Sequence, residues 1–183
     1  MHTTAFVAGP DEAPMGVIKD LARQIGFAPV ITYRGLQELE RRMEIAPLCF
    51  VLFAPVDRVQ KLKPIIDGMR ASSVDRVRFA PLVYFSDSPS LEGIKTGIGM
   101  GFDDIITMPV ALKNVRERLA RQLDRPVTYY TTDTYFGPDR RGRLDKEDGG
   151  HAQRGTGGPH RRIEILRTKQ GVKVLHDDLQ VML

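Results

Sequence analysis

The stretch GFDDIITMPV, Gly101 to Val110, runs from a glycine turn through two acids and a β-branched run to a proline. A short apolar run bounded by turn residues is a strand, and here it covers Asp104 to Met108. Working outward, the segment before it, SLEGIKTGIGMG, is glycine-rich and reads as a weak, mobile helix. The segment after it, ALKNVRERLARQL, puts Leu112, Val115, Leu119 and Leu123 on one face and its basic residues on the other.

The same alternation of short apolar and longer amphipathic runs extends back to the start of the chain, which is the pattern of repeated β-α units and a parallel sheet. The other candidate strands are Thr4 to Ala8, Pro29 to Tyr33, Leu48 to Ala54 and Pro81 to Ser86. The third and fourth are almost wholly apolar, as strands covered on both faces should be. In MGVIKDLARQIGF the residues Val17, Ile18, Leu21 and Ile25 are expected to share a buried face, with Gly26 as the stop. LQELERRMEIA spaces Leu36, Leu39 and Met43 in the same way, and Pro64 breaks or starts the helix of VQKLKPIIDGMR. Five strands and five helices predict a doubly wound α/β fold over residues 1–125.

Past Pro126 the texture changes. Residues 126–162 are rich in Gly, Asp and Arg with almost no aliphatic side chains, which predicts a flexible extension. Residues 163–183 read as a short hairpin, with Ile163, Ile165, Val172 and Val174 alternating around TKQG.

Composition narrows the function. With 183 residues, a net charge of +4 and no apolar run near the roughly 20 residues of a membrane span, the sequence predicts a cytoplasmic protein without a signal peptide. The one cysteine, Cys49, lies in an apolar run and reads as a small buried hydrophobe. His151 and His160 lack Cys partners at zinc spacing. There is no GxGxxG, no phosphate-binding loop and no GxSxG, so no enzyme is expected.

GFDDIITMPV resembles the segment that closes the receiver domains of bacterial two-component response regulators, in which a small-residue turn, an acidic pair, a strand and Lys-Pro recur. The resemblance covers about Thr3 to Leu123 and includes the order and spacing of all five strands. It implies a CheY-like, flavodoxin-like fold. In that family, carboxylates after the first strand hold Mg²⁺ and an aspartate after the third accepts a phosphoryl group. A Ser or Thr ends the fourth strand, and a lysine after the fifth neutralises the phosphate.

Matched to that pattern, this sequence keeps the frame and loses the reagents. The acidic positions fall on Gly9 and Pro10, with Asp11 and Glu12 one step late. The acceptor falls on Ala54, or Phe53 with a one-residue slip. Ser86 matches the Ser/Thr position, and Met108 replaces the lysine. The expectation is a degenerate pocket without metal or cofactor. Asp11, Glu12 and Asp57 are read as solvated loop acids, with a shifted cation site as the alternative. Asp103 and Asp104 are read as turn and cap residues. Ile105 stands where the family carries an aromatic.

The tail repeats GPDRR (Gly137 to Arg141) as GPHRR (Gly158 to Arg162). Arg140, Arg141, Arg161 and Arg162, with Tyr135 and Phe136 nearby, are candidate binders of an anionic ligand. The readings open for them are a solvated or partner-docking peptide, a cyclic di-GMP site, and nucleic acid, the last disfavoured by interleaved Asp145, Glu147 and Asp148. The function expected is a pseudo-receiver that signals without phosphorylation. Its partner would be a kinase, a regulator or a motility component, docking on the fourth helix, fifth strand and fifth helix, with cyclic di-GMP effector binding as the alternative.

Overall fold

The computed structural model describes residues 3–88, 90–139 and 160–180. Strands β1 (Thr4–Ala8), β2 (Val30–Thr32), β3 (Cys49–Phe53), β4 (Leu82–Ser86) and β5 (Asp104–Thr107) form an all-parallel sheet in the order β2-β1-β3-β4-β5. Every residue of β3 and β4 is buried, which is why both strands read as unbroken apolar runs. One layer of core gathers Phe6, Val51, Phe53, Ile66 and Leu82, and the other gathers Ile18, Phe50, Val83, Phe85 and Val115. Each such side chain adds about 1.5–3 kcal/mol of transfer free energy, an upper bound because the unfolded chain is already partly compact.

The helices are α1 (Met15–Ile25), α2 (Leu36–Met43), α3 (Lys63–Arg70), α4 (Asp75–Arg78), α5 (Leu91–Gly99) and α6 (Leu112–Ala120). In α1 the buried stripe is Ile18, Ala22 and Ile25, while Val17 is 56% exposed. Val17 lies about a quarter-turn off that stripe, so the expected face is corrected by one position. Pro64 sits in the first turn of α3, behind a tight turn at Val59–Leu62, and so starts the helix. The short α4 is an addition to the expected pattern, and the expected fourth and fifth helices are therefore α5 and α6. Despite its glycines α5 is a helix, with the Ser90 hydroxyl accepting from the Gly93 N–H at 3.0 Å.

The larger departure follows Pro126. Residues read as the start of a flexible extension form β6 (Pro126–Thr131) and β7 (Phe136–Pro138). With β8 (His160–Thr168) and β9 (Gly171–Gln180) they make an antiparallel sheet in the order β7-β6-β8-β9. The hairpin of β8 and β9 begins three residues earlier than the sequence indicated and turns at Lys169–Gln170. Tyr129, Ile163 and Ile165 are buried with Phe79 of the larger domain, and Phe136 packs against them. The few apolar residues of this region thus share one face and meet a partner far away in sequence. Arg140 and Arg141 lie outside the described residues.

Candidate functional site

The strand ends place the expected pocket. Gly9, Ala54, Ser86 and Met108 follow or close β1, β3, β4 and β5, so all four lie at the C-terminal edge of the parallel sheet, where such folds bind ligands. Ala54 is fully buried and donates its N–H to the Ala8 carbonyl at 2.9 Å. A Cβ built on Gly9 would lie 3.5 Å from that of Ala54 and 3.0 Å from that of Ala13, so the first and third strands close on each other through small apolar groups. Pro10 opens the turn to α1, its carbonyl accepting from the Ala13 N–H at 2.9 Å. Ser86 is 6% exposed, and its hydroxyl donates to the Ser88 carbonyl at 2.8 Å. Met108 is half-buried and packs against the core, with its N–H on the Ser86 carbonyl at 2.7 Å. Ala54 thus occupies the position expected for the acceptor, and Met108 the one expected for the lysine.

The nearby acids do converge, on a cation of the protein's own. The Lys61 ammonium lies 3.1 Å from Glu12 and 3.0 Å from Asp57. Glu12 is held below its ordinary range by its own backbone N–H and then by Lys61, and Asp57 first of all by Lys61. Lys61 is raised in turn by Asp57 and Glu12. Asp11 stays out of this cluster and is exposed. Among the described residues no group of three or more His, Cys, Asp or Glu is arranged to hold a metal.

No protein-family model and no curated protein matches the sequence. Solved structures do match in shape. One is the receiver domain of a sensor histidine kinase from Pseudomonas aeruginosa, which has a magnesium ion coordinated in its active-site cleft. It matches at a TM-score of 0.50 and 16% identity over 67% of this chain and 98% of that one. The CheY-like protein TadZ of the same organism matches at 0.50 and 12% identity, over 66% and 99%. A response regulator from Thermotoga maritima is 19% identical over 67% and 98%, at a TM-score of 0.48. The doubly wound domain has the receiver fold.

At the other end of the receiver fold lies a cluster that the sequence did not reveal. Asp103, just before β5, receives Arg70 at 2.7 Å and Arg167 at 2.7 Å, and accepts the Leu82 N–H at 2.8 Å. The Tyr129 hydroxyl also donates to it and is itself bonded by Arg167. Arg167 comes from β8 and is fully buried; its Nε reaches the Phe79 carbonyl at 2.7 Å. Burial pushes the Asp103 carboxyl up, but Arg167 and Arg70, joined by the Leu82 N–H and Tyr129, overcome it and hold the group down to about 2. Tyr129 is raised, mainly by burial. Asp103 is therefore the joint between the two sheets, and Asp104 is bound by Arg118 at 2.9 and 2.5 Å. The sequence suggests turn and cap residues at both positions, and in the structure both are ion-paired.

The tail candidates are only partly brought together. Tyr135 donates its hydroxyl to the Pro138 carbonyl at 2.9 Å, which folds the ring onto its own strand. Arg161 and Arg162 are consecutive in β8 and project from opposite faces, so they do not form one two-armed clamp. Arg161 is bound by Asp177 at 2.5 and 2.6 Å. Cys49 is buried, which pushes its thiol up to about 12 and leaves it unreactive.

The face formed by α5, β5 and α6 carries a groove of about 1070 Å³. Ile94, Ile98, Ile105 and Val110 give it an apolar lining, and its charged lining is mixed, with Arg121 and Arg125 beside Glu117 and Asp139 and with Arg118 paired to Asp104. Thr128 and Pro138 also line it, so the C-terminal sheet lengthens this face of the receiver fold. Among the described residues no helix is long and apolar enough to cross a membrane.

Proposed function

We propose that this protein is a non-enzymatic pseudo-receiver that acts in signal transduction by binding another protein, without phosphorylation and without a metal. The observation that carries this reading is the pocket: the fully buried Ala54 stands where the resemblance puts an acceptor carboxylate, with Met108 at the lysine position. Phosphoryl transfer to a receiver needs an acid nucleophile, a divalent cation and a fixed ammonium, and the positions matched to these roles carry Ala54, Gly9 and Pro10, and Met108. The Lys61 ammonium binds Glu12 and Asp57, two of the three acids that a shifted cation site would draw on, the third being Asp11.

The docking surface in this reading is the groove of α5, β5 and α6. Its apolar lining suits a segment that buries aliphatic side chains, and its rim of Arg121 and Arg125 beside Glu117 and Asp139 suits one that carries charges of both signs. The alternative reading, cyclic di-GMP held by the tail arginines, gains no support from Arg161 and Arg162, which are divided between two faces. The test is affinity capture from the native cell. The expected partner binds equally with and without acetyl phosphate, and is lost when Ile98→Asp and Arg121→Glu alter the groove. Capture that requires acetyl phosphate, or that ignores both substitutions, contradicts the proposal.

A further inference from the structure

The C-terminal sheet presents an edge that no described strand covers. β9 is its outermost strand, ten residues long and without proline. Long edges expose a row of backbone donors and acceptors, and proteins commonly blunt them with charges, bulges or proline. The charges of β9 have a particular arrangement: Lys173 near one end and Asp178 near the other, both exposed. Their β8 partners are Leu166 and Arg162, so both project from the face turned away from the receiver fold. On the opposite face, Val172 and Leu179 stand near the two ends, opposite Arg167 and Arg161. Leu179 is 68% exposed.

We propose that β9 pairs antiparallel with β9 of a second copy of this chain, about a two-fold axis between Leu175 and His176. That register sets Lys173 of each copy opposite Asp178 of the other, and Val172 opposite Leu179. In an unbroken strand these pairs would fall on opposite faces. The pairing of β9 with β8 steps from Val174–Ile165 to His176–Glu164, leaving Leu175 as an extra residue, and this bulge at the midpoint brings both pairs back onto shared faces. Val174 then faces Asp177, whose charge is already taken by Arg161. A two-fold contact requires a self-complementary surface, and opposite charges at mirrored positions provide it. The same charges discourage other edges, so β9 is closed to strangers and open to its copy.

The test is sedimentation of the full chain over a concentration series. Wild type is expected to show a monomer–dimer equilibrium, and Lys173→Glu and Asp178→Lys are each expected to weaken it about tenfold or more. An equimolar mixture of the two variants should associate again. The carboxylate introduced by Lys173→Glu in one chain then faces the ammonium introduced by Asp178→Lys in the other, and the two unaltered positions keep their native pairing. Asp178→Lys also places a cation beside Arg162; Leu179→Asp, at an exposed site, is the second disrupting variant if that chain misfolds. A monomer throughout the series overturns the proposal. So does a dimer indifferent to Lys173→Glu and Leu179→Asp, or a mixture of folded variants that stays dissociated.

Discussion

Asp103 accepts from two buried guanidiniums, a buried tyrosine and a backbone N–H, and each donor comes from a different part of the chain. A buried ion pair adds little over an apolar substitute, yet removing one partner leaves the others charged and dry. Asp103→Asn is expected to lower unfolding stability by about 3–5 kcal/mol, measured by urea denaturation at neutral pH. The acid limb follows from the same residue. Its carboxyl is held at about 2 in the folded state against an ordinary 3.8. A lowered folded value gives stability that is complete above about 4 and is lost as pH falls from there toward 2. The urea midpoint of the wild type should therefore drop between pH 5 and pH 2.5, and the Asp103→Asn protein should lack this share of the drop. Nothing in GFDDIITM distinguishes such an acid from a turn residue, because Arg70 and Arg167 lie 33 and 64 positions away.

At the scale of elements, legibility followed the range of the interactions. β3 and β4 announced themselves because both faces are buried, and the α6 stripe of Val115 and Leu119 because its spacing is local. β6 and β7 did not, since Tyr129 and Phe136 are separated by polar residues and gain their partner only when the chain returns to Phe79. Two glycines make that return close. Gly101 has φ +93°, and a Cβ there would lie 2.3 Å from the Phe136 carbonyl oxygen; one on Gly137 would lie 2.7 Å from the Gly101 Cα. Gly101→Ala meets both a strained backbone and a hard contact, with an expected cost of about 2–4 kcal/mol. Hydrogen exchange should show the loss of protection concentrated in β6 and β7 rather than in β1 or β3. Even protection across both sheets would contradict the packing described.

Taken whole, the molecule has two ends with different chemistry. At the C-terminal edge of the parallel sheet stand Gly9, Ala54, Ser86 and Met108, while at the other edge a buried charge cluster fastens an additional sheet. That Ala54, Ser86 and Met108 end at one edge follows from the strand boundaries, while their matching to an acceptor, a hydroxyl and a lysine position comes from the family resemblance. The ammonium of Lys61 between Glu12 and Asp57 was not legible in the sequence, since that contact joins the loop after β1 to the turn after β3. The proposed loss of phosphoryl chemistry is tested most directly by incubating the full chain with acetyl phosphate and Mg²⁺ and measuring its intact mass. The expected mass is unchanged at every time point. A stoichiometric phosphoryl adduct, stable in acid and labile in base, would contradict it.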